Sequence, residues 1–83
     1  MILHLGSNRR VPFEQVVALV DLSREKTADT QALLNAAKAK GRLFPLGEPV
    51  KTLVLAKENG EQWCFLTSLS VRSLYRRIHT KIK

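Results

Sequence analysis

The stretch KTLVLAKENGEQWCFLT, residues 51–67, limits the fold more than any other part of the chain. Asn59-Gly60 offers two residues that accept positive φ, set between runs rich in Leu, Val, Trp and Phe, which is the strongest short-range signal for a β-hairpin. Along the second arm, strand alternation sends Trp63 and Phe65 to one face and Cys64 and Leu66 to the other. Both faces are apolar, so the sheet that this hairpin seeds must be covered on both sides.

The rest of the chain supplies the cover. Residues 1–5 form a short strand closed by Gly6-Ser7-Asn8, where Gly6 and Asn8 suit positive-φ turn positions and Arg9-Arg10 sits on the turn. Residues 11–22 are expected as one strand entered through Pro12, and because VVALV does not alternate with polar residues, it is expected to be buried on both faces. A helix follows over residues 27–40, with Thr27 as cap, Asp29 in the first turn, Lys38 and Lys40 in the last, and Gly41 as the stop. Its apolar face is narrow, made of Leu33, Leu34, Ala36 and Ala37. Residues 41–50 hold two Gly and two Pro and are expected as loop, with a brief extended piece at Leu43 and Phe44. The final helix covers about residues 70–82, capped by Ser68 or Ser70. A spacing of 100° per residue puts Val71, Leu74, Tyr75, Ile78 and Ile82 on one apolar stripe. Arg72, Arg76, His79 and Lys83 form a basic stripe beside it, with Arg77 and Lys81 on the far flank. The expected fold class is α+β: one domain over residues 1–83, with a small antiparallel or mixed sheet, a hairpin and two helices.

At 83 residues such a domain buries only about 60% of the surface its unfolded chain would expose, and domains of this size often lean on a disulfide, a metal or self-association. Cys64 is the lone cysteine, and His4, Cys64 and His79 lie far apart without ligand-like spacing, so self-association is the expected support. The start, MILHLGSNRR, lacks the basic-then-apolar order of a signal peptide, and the longest apolar run, VVALVDL, is far below the roughly 20 residues of a spanning helix. A cytoplasmic setting is expected, where a single reduced cysteine is ordinary.

Catalysis requires a nucleophile, a base and an orienting group that converge, and no nucleophile elbow, glycine-rich phosphate loop or paired-acid motif is present. The expectation is therefore a chain that is not an enzyme and uses no cofactor. Cys64 sits between aromatics in a strand with no cation near it in sequence, as a buried small hydrophobe would. His4, on an apolar strand, is expected in the core or an interface. Trp63, Phe65 and Tyr75 could stack on bases, but they lie on the apolar sides of their elements, where a core with only five aromatics needs them.

The charge is more informative. The chain carries a formal +7, yet its first 71 residues hold nine basic against seven acidic side chains, a net of +2, so the excess lies in residues 72–83. That segment has no acid, and Arg leads Lys at its first basic positions, which favours forked contacts with phosphate oxygens. A polyanion such as DNA, RNA or an anionic lipid head is the expected partner, met through its phosphates, with Arg9, Arg10, Lys51, Arg72, Arg76 and Arg77 as candidate contacts. A long loop and a hairpin separate the helices, so no helix-turn-helix is formed in sequence and base-specific readout has no motif behind it. Docking to an anionic membrane is disfavoured, because the terminal helix lacks Trp and Phe on its apolar face.

The opening MILHLG, the run VPFEQVVALVDL, the glycine after AKAK and the closing FLTSLSVRSLYRR together resemble the RemA/RemB family of bacterial extracellular-matrix regulators, most closely its RemB branch. The likeness runs from Met1 to about Arg77 and rests on the order and spacing of these segments. It implies a small cytoplasmic protein of Gram-positive bacteria that acts on biofilm-matrix genes. In the RemA branch, rings of subunits present basic residues to DNA. That branch has an arginine pair where this chain has Glu48-Pro49, and an arginine where it has Gln15, whereas Lys51 matches a basic position just past the loop. The replaced pair supports a second expectation: an assembly that partners another regulator, such as a paralogue, without holding DNA itself.

Overall fold

The computed structural model describes residues 1–24 and 27–82, with side chains within the last helix described as far as Ile78. Among these residues the chain runs β1 (Ile2–Gly6), β2 (Arg9–Pro12), a 3-10 turn (Phe13–Gln15), β3 (Val16–Asp21), α1 (Ala28–Ala39), β4 (Leu43–Pro45), β5 (Thr52–Glu58), β6 (Glu61–Thr67) and α2 (Val71–Ile82). Strands β3, β5, β6 and β4 lie in that order in one sheet, antiparallel except for the parallel β4–β6 pair, while β1 and β2 form a separate antiparallel hairpin. The fold is α+β with a mixed sheet, as expected.

The β5–β6 hairpin turns where the sequence places it. Glu58 faces Glu61 across the ladder, and Asn59 and Gly60 have φ of 53° and 79°. Positive φ at both central residues matches the twist of the arms, and only glycine adopts it without cost. Space around Gly60 is open, so the expected penalty of Gly60→Ala is conformational, about 1 kcal/mol, read as a lower urea midpoint at unchanged m-value.

Strand alternation then sorts the core into two clusters. Val54, Ala56 and Phe65 pack with Leu3, Leu5 and Val11 of the β1–β2 hairpin and with Leu74 and Ile78 of α2. On the opposite face, Leu53 and Cys64 pack with Leu22 and with Leu34 and Ala37 of α1. The sheet is thus the middle of three layers. Helix α1 is capped by Thr27, whose Oγ1 accepts from the Thr30 N–H at 3.1 Å, and it closes where Gly41 takes φ of 70° and Arg42 N–H donates to the Ala37 carbonyl at 2.8 Å. Ala36 lies outside the buried face, on the exposed side of the helix.

Further expectations need correction. Residues 11–22 are not one strand: Val11 and Pro12 end β2, the 3-10 turn intervenes, and β3 starts at Val16. Pro12 has no N–H with which to continue a ladder. Nor is β3 buried on both faces, since Val17 is 58% exposed. Val16 and Ala18 pair with consecutive residues Ala56 and Leu55, so Val17 is the extra residue of a bulge. The bulge breaks the alternation of VVALV, which double-sided burial does not explain. Finally, His4 is not in the core of the chain, because Leu3 and Leu5 take the inward positions of β1 and leave it exposed.

Candidate nucleic-acid interface

Helix α2 is built to hold its arginines outward. Leu74 is fully buried and Ile78 nearly so, fixing one face against the core. Tyr75, expected on that stripe, is instead 56% exposed; it stands 100° round from Leu74, beyond the narrow seam that Leu74 and Ile78 share. Ser70 caps the helix, its Oγ accepting from the Ser73 N–H at 3.1 Å. The approach to α2 is clamped by two buried threonines. Thr67 Oγ1 donates to the Leu5 carbonyl at 2.6 Å and accepts from Leu69 N–H at 3.1 Å, while Thr52 Oγ1 donates to the Leu69 carbonyl at 2.7 Å. Thr67→Val keeps the shape but leaves the buried Leu5 carbonyl and the part-buried Leu69 N–H without this partner. The expected loss is about 2 kcal/mol in equilibrium unfolding, with a loss near zero as the contrary result.

With that face docked, Arg72, Arg76 and Arg77 are exposed, and Arg72 and Arg76, four residues apart, lie one above the other on the helix. Arg77 Nη1 donates to the His4 carbonyl at 3.0 Å, tying α2 to β1. His4 is the ladder partner of Arg10, so β1 links the cations of α2 to those of β2. Arg9 and Arg10 are not on the turn, which is made by Ser7 and Asn8 at φ of 50° and 64°, but at the start of β2. The Arg9 guanidinium lies over the rings of Phe44 and Phe65, 5.0 and 5.3 Å from their centroids, and so roofs the core as well as carrying charge. Lys51 is exposed at the end of the sheet from which α2 departs, its N–H donating to the Thr67 carbonyl at 2.9 Å. Among the described residues none of these six cations is paired with a carboxylate. The side chains of His79, Lys81 and Ile82, and all of Lys83, lie outside the described residues.

Sequence reasoning did not single out Arg42. It bonds Glu61 at 2.8 Å and lies 5.4 Å from the Trp63 ring, beside a row in which Phe44 stacks on Trp63 at 5.7 Å and on Phe65 at 5.5 Å. The shared parity of Trp63 and Phe65 was readable; the arrival of Arg42 and Phe44 beside them depends on the parallel pairing of β4 with β6, which leaves no local mark. Cys64 is buried, and burial pushes its thiol above its ordinary pKa, the reverse of what a reactive thiolate requires. Among the described residues no cluster of His, Cys, Asp or Glu is arranged to hold a metal ion, and no helix is long and apolar enough to cross a membrane.

The chemistry this surface offers is recognition of oxyanions: guanidinium forks on a rigid helix, unopposed by acid, with further cations on the adjoining strands. Compared with known proteins, the chain matches no family model and no curated sequence.

Proposed function

We propose that the chain is a cytoplasmic, DNA-associated regulator of extracellular-matrix genes in the manner of the RemA/RemB proteins, holding duplex DNA through its phosphates as a ring or other homo-oligomer. The observation that carries this reading is the exposed, acid-free row of arginines on a helix whose other face is locked into the core. Phosphate contact fixes position and supplies affinity without reading bases, which suits a chain whose two described helices are separated by three strands and form no helix-turn-helix. Repetition across identical subunits would multiply contacts that are weak singly. The apolar side chains left exposed at Met1, Ile2 and Val17 favour association between copies.

The test is salt. With Arg10, Lys51, Arg72 and Arg76 each meeting a phosphate, log affinity for a long duplex falls against log salt with a slope of about −3 to −4 per subunit engaged. A flat curve, or no binding at low salt, rejects the proposal.

A second reading has its own support. Between β1 and α2 lies a groove of about 320 Å³ with Met1, Ile2 and Ile78 in its lining and Arg76 and Arg77 at its side. Together with Glu48-Pro49 in place of an arginine pair, it favours a chain that grips another protein while DNA is held elsewhere. Its signature is a stable complex with a second regulator and no salt-dependent duplex binding.

A further inference from the structure

The β1–β2 ladder has an open outer border. The Phe13 N–H donates to the Met1 carbonyl at 2.8 Å, one step beyond the pair Ile2–Pro12. An antiparallel ladder alternates between pairs that exchange hydrogen bonds and pairs that exchange none. Counted from that bond, Leu3 and Val11 bond each other, while Ile2 opposite Pro12 and His4 opposite Arg10 turn their backbone groups away from β2. The direction agrees with the His4 carbonyl, which is met from outside by Arg77 Nη1 at 3.0 Å. Among the described residues no strand pairs with β1 on this side, and the Ile2 N–H, the Ile2 carbonyl and the His4 N–H have no partner.

The groove of about 320 Å³ between β1 and α2 follows the same border. Met1 and Ile2, in its lining, are 40% and 44% exposed, so apolar side chains stand beside unmatched backbone groups. An extended peptide answers both at once: its backbone pairs with the border, and its alternate side chains reach one face. The charge of that peptide is set by Arg77. It uses one of its five donors on the His4 carbonyl and, among the described residues, meets no carboxylate. No Asp or Glu lines the groove, so an acidic segment gains at this rim and a basic one loses.

We propose that the outer border of β1 docks an extended, acidic and apolar segment of another protein, which adds a third strand to the β1–β2 hairpin. Its backbone accepts from the Ile2 and His4 N–H groups and donates to the Ile2 carbonyl, an apolar side chain enters the groove, and a carboxylate meets Arg77. The proposal rests on the second functional reading above and gives it a mode of contact.

The probe is a peptide of alternating Val and Glu, about eight residues long, with alternating Val and Lys as its counterpart. Amide exchange followed in nitrogen-15 spectra reads the border directly. In the free chain the Ile2 and His4 amides are expected to exchange fast and the Leu3 amide slowly; the Val-Glu peptide is expected to slow the first two about tenfold or more, and the Val-Lys peptide to bind at least about tenfold more weakly. His4→Pro removes one outward N–H and leaves the inward ladder intact, at the kind of border position where a strand accepts proline. It is expected to weaken the Val-Glu peptide about tenfold, while His4→Ala, which keeps the N–H, stays within about twofold. A second measurement comes from the ligand and does not depend on the folding of a variant. Methylating only the Val amides or only the Glu amides blocks one edge of the peptide, so one of the two forms should lose binding and the other keep it. Ile2 and His4 amides that the Val-Glu peptide does not slow overturn the site, as do equal affinities for the Glu and Lys peptides or for both methylated forms and the parent. Protection of Ile2 and His4 without peptide that falls on dilution gives the border to a second copy of the chain and overturns it too. A stable complex with a second regulator that His4→Pro leaves intact sinks the docking site and spares the second reading. A peptide that seats on a chain which also binds duplex in a salt-dependent way keeps the site and sinks that reading.

Discussion

Leu74→Ala is expected to lower the free energy of unfolding by about 3 kcal/mol, within the range of 2 to 5 for a large aliphatic side chain removed from a packed site. Leu74 is fully buried, and with Ile78 it supplies the described contact of α2 with the core cluster shared by β1, β2, β5 and β6. The flanking residues cannot close the space, because Leu5 and Val54 are themselves fully enclosed and held in strands. In a domain of this size that loss is a large share of the whole, since net stabilities run to only about 5 to 15 kcal/mol. Urea unfolding measures it, with Val17→Ala as the control: Val17 is more than half exposed and should change stability by less than about 0.5 kcal/mol. A loss below about 1 kcal/mol at Leu74 would mean that α2 is not anchored as described.

Exchanging Arg72 and Arg76 together for Glu is expected to reduce affinity for duplex DNA by about 100-fold at low salt and to lower the salt slope by about two. Both side chains are exposed and neither is paired with an acid among the described residues, so folding should survive the change. The mass in solution, measured beside the affinity, decides between the two functional readings. Affinity lost at constant mass is the result expected of phosphate contacts. An altered mass places these arginines in a contact between subunits, and an unchanged affinity removes α2 from the DNA surface.

Much of this architecture was legible because it is local. Asn59-Gly60, Thr27, Gly41 and Ser70 each work through their own φ or a cap within three residues, and each is found in its expected role. The break at Pro12 was not legible, because whether the residues around it continue one strand or divide between two depends on distant partners: Val11 pairs back to Leu3, whereas Val16 pairs to Ala56. The bulge at Val17 imitates, in sequence, a strand buried on both faces. For the site, the cations could be named but not grouped. Arg77 meets a carbonyl 73 positions earlier in the chain, and Arg9 reaches rings on two strands far along it.

The margins of the four-stranded sheet carry a further consequence. On one side β3 is interrupted by its bulge at Val17, and on the other β4 runs for three residues and ends on Pro45, which has no N–H to offer. An incoming strand would find a broken row of partners at either border. These borders are therefore poor templates for an added strand, even though the four-stranded sheet is rich in Leu, Val and Phe.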